Sequence, residues 1–443
     1  MKLHLLNFFK ACNPSRTIDL SNPNERPYYI DFAAVRGGKI VEAIERTIAL
    51  LSPDEPTCQL FTGHIGCGKS TELLRLKAAL EQQNFHVIYF ESSRDLDMAD
   101  VSISDILLAI ARSVSTSLEA EGIRLKASYF TNLFEEVKQF LQTPVELDAE
   151  AELSLGIARI TAKTKDNPKL REQLRQSLEP RTESILRAIN EEILAKANQE
   201  LQYRGKRGIV AIVDNLDRVS PQMITETRSL PEYLFVDRGP QLRRLNCHVV
   251  YTLPMALIFS NEYQALKNRL GGGVAPKVLP MVPVRDRTGR ENSQGMALLR
   301  QLVLARAFPQ VEASERLNFI DELFDSPETL DRLCQISGGH IRNLLGLLFN
   351  CLQNQDPPFS RPCVENAIKA YRDDIVLAIE DHEWQLISQV VSQQAVKGEQ
   401  EYQTLLRSMF VFEYRDEKGR WFGINPALAE TDRFRGLQQS SLN

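Results

Sequence analysis

The chain has 443 residues, of which 43% are hydrophobic and 25% are charged, and these values indicate an ordinary globular protein of two or three domains. Its formal net charge of −5 gives it no general attraction to nucleic acid or to anionic membranes. The seven cysteines are scattered without a C-x-x-C pair, and no signal peptide or membrane-spanning run is recognisable. We therefore expect a cytoplasmic protein with reduced thiols and no membrane partner.

The first part of the chain is polar and is interrupted by proline and asparagine. We expect residues 1–27 to form a loosely packed lead-in segment. Residues 28–38 are more apolar and enter a helix that is predicted to reach residue 51. Two interpretations stay open for this apolar segment: it covers the ring of a bound adenine, or it only packs the first helix onto the core.

The most informative stretch has the spacing G-x-x-x-x-G-K-S of a phosphate-binding loop, from Gly63 to Ser70. A predicted strand over residues 58–62 precedes it and a predicted helix over residues 71–82 follows it, which is the context that the motif requires. Backbone N–H groups and the helix dipole attract phosphate there, and Lys69 and Ser70 supply a charge and a ligand for Mg²⁺. We therefore predict that this P-loop binds ATP and Mg²⁺. The predicted binding residues are Gly63, His64, Ile65, Gly66, Cys67, Gly68, Lys69, Ser70 and Thr71.

A long helical insertion is predicted between the second and third strands. Residues 86–91 read as a strand and residues 104–115 as an amphipathic helix. The region from about residue 118 to 205 is mostly helical and charged, although residues 145–164 alternate enough to form a hairpin or a loose loop.

A second functional pattern follows this insertion. Residues 208–213 are apolar and run directly into Asp214, as in a buried central parallel strand. Ligands bind at the carboxyl ends of such strands, so Asp214 is predicted to hold Mg²⁺ together with Ser70. The next strand, residues 247–252, ends at Thr252. Its hydroxyl either contacts the γ-phosphate or the attacking water, or is satisfied by neighbouring backbone.

The remaining chain is predicted to be mainly helical. Residues 254–270 read as an irregular helix and residues 277–284 as the last strand of the sheet. Lid helices are predicted over residues 293–308, 312–324, 327–336 and 340–353. Arg342 lies in the first turn of the last of these, where a cation is unfavourable unless an anion is near. Arg342 is therefore a candidate phosphate contact, and an ordinary exposed arginine is the alternative.

The tail has the element order of a winged helix. Helices are predicted over residues 361–380, 382–394 and 399–408, followed by a hairpin whose strands are residues 410–415 and 420–424. We expect an α/β fold: a three-layer P-loop NTPase sandwich with a mostly parallel sheet, then an all-helical lid and a winged-helix domain. The predicted boundaries are 1–27 for the lead-in, 28–288 for the core, 289–358 for the lid and 359–443 for the winged helix.

This order of motifs resembles the AAA+-like ATPases of the STAND and origin-recognition (Orc) branch, over roughly residues 28–430. The resemblance implies that the strand ending at Thr252 lies between the P-loop strand and the Asp214 strand. It also implies that Thr252 is sensor 1 and Arg342 is sensor 2. Arg269 would be an arginine finger, which acts on a neighbour's nucleotide and therefore implies assembly.

One position departs from the family pattern. Many relatives have a catalytic acid immediately after the metal-binding aspartate, where this chain has Asn215. STAND proteins carry D-x-x-D-E; here Asp214 and Asp217 are kept and Arg218 replaces the final acid. Asp217 is thus the candidate for positioning water, with Glu91 as the fallback. If neither reaches the phosphate, hydrolysis is slow.

These features favour a regulatory ATPase whose nucleotide state controls assembly or a partner, either a homo-oligomer or a separate effector protein. The alternative is a DNA-binding AAA+ initiator or loader that uses the winged helix. Residues 399–407, the expected recognition helix, carry two acids against one base, which disfavours DNA. A small-molecule kinase is less favoured, because the lid and tail would be superfluous.

Overall fold

The computed structural model describes residues 3–125, 127–141, 153–158 and 167–440. Its central element is a parallel sheet of five short strands with helices on both faces. The strands are β1 (Cys58–Gly63), β2 (His86–Glu91), β3 (Ile209–Asp214), β4 (His248–Thr252) and β5 (Lys277–Leu279). None of the helices in the described part of the chain is long and apolar enough to cross a membrane.

The strand order in the sheet is β2-β3-β4-β1-β5. This confirms that the strand ending at Thr252 lies between the P-loop strand and the Asp214 strand. All six residues of β3 are buried, as expected of a continuous apolar run in a parallel sheet. The order places the carboxyl ends of β1, β3 and β4 side by side, so the segments that follow these strands meet at one edge.

The last strand is shorter than predicted. The sequence pattern suggests residues 277–284, but pairing with β1 ends at Leu279. Pro280 and Pro283 explain the difference, since proline has no N–H to donate to a neighbouring strand. Between them, the Met281 N–H donates instead to the carbonyl of Glu413 at 2.9 Å.

Helices cover the sheet on both faces. The first long helix is also less regular than predicted: after short 3-10 turns at Arg26–Tyr28 and Ala33–Val35, it runs as α2 (Ile40–Arg46) and continues as a wider π-helical segment, Thr47–Leu51. The helices as far as the insertion are α1 (Leu5–Ala11), α2 (Ile40–Arg46), α3 (Lys69–Gln82), α4 (Ser92–Asp95) and α5 (Ile103–Ala120).

The insertion is helical where the structure describes it. Part of the predicted 145–164 hairpin or loop lies outside the described residues, and the described piece, residues 153–158, is a helical turn (α7). The insertion and the core beyond it contain α6 (Ser128–Leu141), α8 (Pro168–Leu178), α9 (Thr182–Ala188, continuing as π-helix Ile189–Leu194), α10 (Ala195–Tyr203), α11 (Leu230–Glu232), α12 (Gly239–Arg243) and α13 (Tyr263–Arg269). The irregular helix predicted over residues 254–270 is a 3-10 segment, Met255–Phe259, followed by α13.

The lid has one apolar core, and this core also contains residues from before and after the predicted lid boundaries. Its helices are α14 (Ser293–Ala307), a 3-10 segment at Arg316–Glu322, α15 (Pro327–Ile336), α16 (Ile341–Asn354) and α17 (Arg361–Val376). The predicted boundary at residue 359 places α17 in the winged helix, yet α17 buries Val364 and Ile368 among the lid helices. Phe8 and Cys12 are buried in the same cluster, so the expectation of a loosely packed lead-in is wrong for these residues.

The C-terminal elements form a second group that packs on the core. They are α18 (Asp381–Gln393), α19 (Gln400–Arg407), β6 (Val411–Asp416), β7 (Gly419–Ile424), α20 (Pro426–Ala429) and α21 (Asp432–Ser440). Strands β6 and β7 pair antiparallel, which confirms the predicted hairpin. Phe412, Tyr414 and Trp421 of this hairpin are buried in a cluster with β1 and α3. The hairpin therefore packs close to the P-loop.

Candidate functional site

The P-loop connects β1 to α3 and needs glycine at two positions. Gly66 and Gly68 have φ of 87° and 104°, a region that side chains rarely adopt. At Gly66 there is also no room for a side chain, because a Cβ would lie 2.7 Å from Nε2 of His340. The motif is thus folded as a tight loop that ends at the N-terminus of a 14-residue helix.

Lys69 is buried and fully engaged within this loop. Its Nζ donates to the carbonyl oxygens of Gly63 at 3.0 Å and His64 at 2.9 Å. Nζ also forms an ion pair with Oδ2 of Asp217 at 2.8 Å, and both side chains are only 5% exposed. Burial, the largest influence, opposes the charged form, but nearby negative groups led by Asp217 outweigh it and raise the pKa of Lys69. Asp217 thus neutralises the lysine predicted to receive the nucleotide phosphates.

Asp214 and Ser70, the two predicted metal ligands, are hydrogen-bonded to each other. Asp214 also accepts from the Tyr89 hydroxyl at 2.8 Å and from the N–H of Asn215 at 2.7 Å. Burial and the neighbouring Asp217 raise the pKa of Asp214, and the bonds from Ser70 and Tyr89 act in the opposite direction. A cation bound here would compensate both for the burial of the Asp214 carboxylate and for its repulsion by Asp217.

The donor set fits a magnesium ion that is shared with a nucleotide. A hydroxyl and a carboxylate are hard oxygen ligands, and Mg²⁺ is commonly bound by one or two such groups plus phosphate oxygens and water. The described residues contain no cluster of three or more histidine, cysteine or acidic side chains suited to a metal. The pair therefore fits an ion that arrives with the nucleotide rather than one held by protein ligands alone.

The turn after β3 orients the candidate water-positioning acid. Asn215 adopts a left-handed conformation, with φ of 65°, and its side-chain amide donates to Oγ of Ser93 at 3.1 Å. Oδ1 of Asp217 is buried and has no hydrogen-bond partner among the described residues. Glu91, the fallback, accepts two hydrogen bonds of 3.0 Å from Arg94. Asp217 therefore has an unused buried acceptor, whereas Glu91 is occupied.

Thr252 lies at the end of β4, as predicted, but its hydroxyl is hydrogen-bonded to backbone groups. It is fully buried, and its hydroxyl accepts from the N–H of Leu216 at 3.0 Å and is 3.4 Å from the carbonyl of Val213. Of the two interpretations, this arrangement matches the satisfied strand-end threonine. Its contacts hold the turn that carries Asp217.

The lid contacts the P-loop directly through the start of α16. The ring of His340 bonds to the carbonyl of Ile65 at 2.7 Å, and the N–H of Arg342 donates to the carbonyl of Gly66 at 3.1 Å. Arg342 lines a small cavity of about 80 Å³ together with Lys69, Ser70 and Asp217. Burial and the nearby Arg218 lower the pKa of Arg342, and Asp217 acts in the opposite direction. The structure thus brings this predicted arginine to the phosphate-binding end of the loop.

The C-terminal hairpin contacts the P-loop from another side, which sequence analysis missed. Nε2 of His64 accepts a hydrogen bond of 2.9 Å from the N–H of Glu413. Phe412 lies between His64 and His340, with 5.9 Å between its ring centre and each imidazole. The Tyr414 hydroxyl donates to the carbonyl of Gly338 at 2.8 Å. The hairpin therefore contacts both the P-loop and the loop that leads into α16.

This junction contains buried titratable groups. Burial lowers the pKa of His64 to about 3, helped by His340 and Lys69. Burial likewise lowers the pKa of His340 to about 4. Glu413 is 1% exposed, and burial raises the pKa of its carboxyl to about 7 although Arg420 forms an ion pair with it at 2.6 Å.

The N-terminal segment also reaches the nucleotide pocket. Residues 14–17 line the 80 Å³ cavity, and the N–H of Ile18 lies 3.4 Å from the Thr71 hydroxyl. From the apolar segment 28–38, Arg36 donates to the carbonyl of Cys67 at 2.9 Å. The stretch that borders the cavity is thus part of the predicted lead-in, and no motif in residues 14–17 marks them as binding residues.

Arg269 lies apart from these residues. Its side chain is 51% exposed on α13 and forms an ion pair with Asp237 at 3.3 Å. It does not border the P-loop cavity within one described chain.

The family comparison agrees with this site. Residues 38–237 match the model of the KAP family P-loop domain. A comparison with curated protein sequences finds no match. The chain thus contains a nucleotide-binding P-loop NTPase domain, which spans β1, the P-loop and the Asp214 strand.

Three solved structures are similar in overall chain path, at 11–12% identity. The Walker-type ATPase PABY2304 of Pyrococcus abyssi has a TM-score of 0.45 and 12% identity, with 95% of this chain and 99% of that chain covered. The ORC2 protein of Aeropyrum pernix, in ADPNP–ADP complexes, has a TM-score of 0.38 and 12% identity over 91% and 93% of the two chains. Cdc6p of Pyrobaculum aerophilum has a TM-score of 0.35 and 11% identity over 98% of each chain.

Proposed function

We propose that the protein is an ATPase that acts as a nucleotide-dependent switch. One observation carries the proposal: consecutive P-loop residues are bonded to two different C-terminal elements. His64 accepts from the hairpin residue Glu413, and the carbonyls of Ile65 and Gly66 are bonded by His340 and Arg342 of the lid. A change in the P-loop backbone on nucleotide binding therefore reaches both elements without an intermediate.

In this proposal each site residue has one role. The P-loop N–H groups and Lys69 bind the β- and γ-phosphates, and Arg342 adds positive charge at the γ-phosphate. Mg²⁺, held by Ser70 and Asp214, would neutralise phosphate oxygens. Asp217 orients the water that attacks the γ-phosphorus as the bond to ADP breaks.

The closed pocket supports a conformational step. Ligand pockets usually measure roughly 300–1,000 Å³, and the cavity beside Lys69 is about 80 Å³. ATP also has to take over the charge of Lys69 that Asp217 now neutralises. We infer that ATP favours a conformation in which the lid shifts enough to enlarge this cavity, with Arg342 still within reach of the γ-phosphate, and in which Asp217 is released from Lys69. The free energy of that change comes from the higher affinity of the open form for ATP.

The proposal also covers the role of the C-terminal elements and the effect that the nucleotide state has on other molecules. We propose that α18, α19 and the hairpin act as a winged-helix-like output element, as in STAND and Orc relatives. The output is a change in self-assembly or in the binding of a separate effector protein. DNA binding is second, because residues 399–407, which contain α19, carry two acids against one base.

The proposal is tested with Trp421, which stacks on Tyr414 in the hairpin at a ring distance of 4.5 Å. The chain has two tryptophans, so W384F leaves Trp421 as the single reporter. We expect its emission to change on adding ATP and Mg²⁺, and phosphate to be released. W421F in the W384F background is the matched control and should show no signal. Release of phosphate with an unchanged Trp421 signal would leave an ATPase without the switch.

A further inference from the structure

A buried arginine on the first lid helix has no role in the site described so far. Arg306 lies near the end of α14 and is 4% exposed. Its Nε and Nη1 atoms are buried without a hydrogen-bond partner among the described residues. An unpaired guanidinium in a protein interior is costly, so it normally has a partner that satisfies its charge.

Among the described residues, no acid supplies that partner. The guanidinium lies over the ring of Tyr28, 5.6 Å from its centre, and the other charged or titratable groups that act on it are Cys12, Arg16 and Glu25. Glu25 is engaged elsewhere, with Arg16 at 3.2 Å and with the N–H of Asp19 at 2.8 Å. Burial lowers the pKa of Arg306 to about 10, which still leaves it charged at neutral pH.

Arg306 borders the P-loop cavity. The residues that line this cavity include Ser70, Thr71 and Arg342, and they also include Thr17 and Arg306. The bond from Ile18 to Thr71 places the N-terminal segment across the first turn of α3, beyond the residues that hold the β- and γ-phosphates. Arg306 thus borders the same cavity as Thr71, at the end of the P-loop where the nucleoside part of a bound nucleotide begins.

We propose that Arg306 is a nucleotide-binding residue that contacts the α-phosphate. A guanidinium presents donors only, in a planar fork that matches phosphate oxygens, and the missing partner is an anion. A phosphate contact carries no information about the base, so Arg306 adds affinity for any nucleoside triphosphate. This inference rests on the proposed function, because it extends the same pocket.

The test measures the affinity of the full chain for ATP, GTP and inorganic tripolyphosphate by calorimetry. Charged hydrogen bonds of this kind usually correspond to about tenfold to a hundredfold in affinity. We expect R306M to lose affinity by about that factor for all three ligands, and R306K, which keeps a charge without the fork, to lose less. R300M is the matched control: Arg300 lies on the same helix but pairs with Asp331, and its variant should bind as the wild type does.

Thermal unfolding separates a binding role from a structural one. Since R306M removes an unpaired buried charge, we expect the ligand-free variant to melt no lower than the wild type, and the rise in Tm caused by ATP to be smaller. Unchanged affinity of R306M for the three ligands would overturn the inference. A loss confined to ATP or to GTP would overturn it in favour of a base contact. If the wild type binds no ATP, the proposed function itself fails.

Discussion

At the scale of single residues, the P-loop lysine is paired with an acid of the same chain. The pair between Lys69 and Asp217 joins the most important cation of the P-loop to the acid proposed to position water. Both groups are almost fully buried, so removal of either one leaves an uncompensated charge. Binding and stability are therefore coupled at this pair.

The first prediction concerns Lys69. We expect K69A to abolish ATP binding, because the phosphates lose their buried cation, and to lower the free energy of unfolding by about 3–5 kcal/mol, because Asp217 is left unpaired. K77A is the matched control on the same helix, where Lys77 pairs with Glu81 at the surface. Calorimetry with ATP and chemical denaturation measure the two effects. ATP affinity equal to that of the wild type would contradict the P-loop assignment.

Asp217 gives the second prediction. We expect D217N to bind ATP at least as tightly as the wild type, since the amide no longer neutralises Lys69. Its turnover should fall by at least about a hundredfold, the usual contribution of a general base. E91Q serves as the comparison, because Glu91 is already bound by Arg94. Steady-state phosphate release shows which of the two acids positions the attacking water. Full turnover by D217N would assign that role to Glu91 or to another group.

At the scale of elements, the junction of P-loop, lid and hairpin should respond to pH. The pKa of His64 falls from 6.5 to about 3 on folding, and that of His340 to about 4. The unfolded chain therefore binds more protons than the folded chain as the pH drops below 6.5, and stability is lost. Glu413 acts in the other direction: its pKa rises from 4.5 to about 7, so it reduces stability as the pH rises across that range.

The third prediction follows from these opposing signs. We expect the Tm of the wild type to fall on acidification below about pH 6.5, because two histidines outweigh one carboxyl. E413Q should make the rise of Tm between pH 4.5 and 7 steeper, and H64Q should make it shallower. H382Q is the control, because His382 is exposed. Identical pH profiles for the wild type, E413Q and H64Q would show that the junction does not titrate as described.

The elements also show what the sequence can predict. The P-loop, the strand ending at Asp214 and the antiparallel hairpin are encoded by neighbouring residues, through glycine spacing and apolar periodicity. By contrast, the bond between His64 and Glu413 joins residues 349 positions apart, and neither residue carries a local signal of it. The same holds for the buried Phe8 and for Arg306. The early end of the last strand does have a local signal, because Pro280 has no N–H to donate to a neighbouring strand.

At the scale of the whole molecule, the fourth prediction is that ATP drives assembly. Arg269 is half-exposed and does not border the P-loop cavity of its own chain, so a role in hydrolysis requires a neighbouring copy. We expect light scattering to show a larger mass with ATP and Mg²⁺ than without. R269A alone should then hydrolyse ATP slowly. Mixed with K69A it should regain turnover, because the K69A copy supplies Arg269 to the intact P-loop of the R269A copy.

R244A is the matched control for this experiment, because Arg244 is similarly exposed and pairs with Glu183. It should turn over ATP as the wild type does. A monomeric mass in the presence of ATP, together with full activity of R269A, would exclude the arginine-finger role.

The long separation between His64 and Glu413 has a consequence for biosynthesis. A ribosome adds about 5–20 residues per second, so the P-loop emerges roughly 20–70 s before its hairpin partner. During this interval a nascent chain displays the loop without the strand that later contacts it. Newly made protein and mature protein should therefore meet cellular ATP in different states, and we expect nucleotide captured on the ribosome to guide the docking of the hairpin.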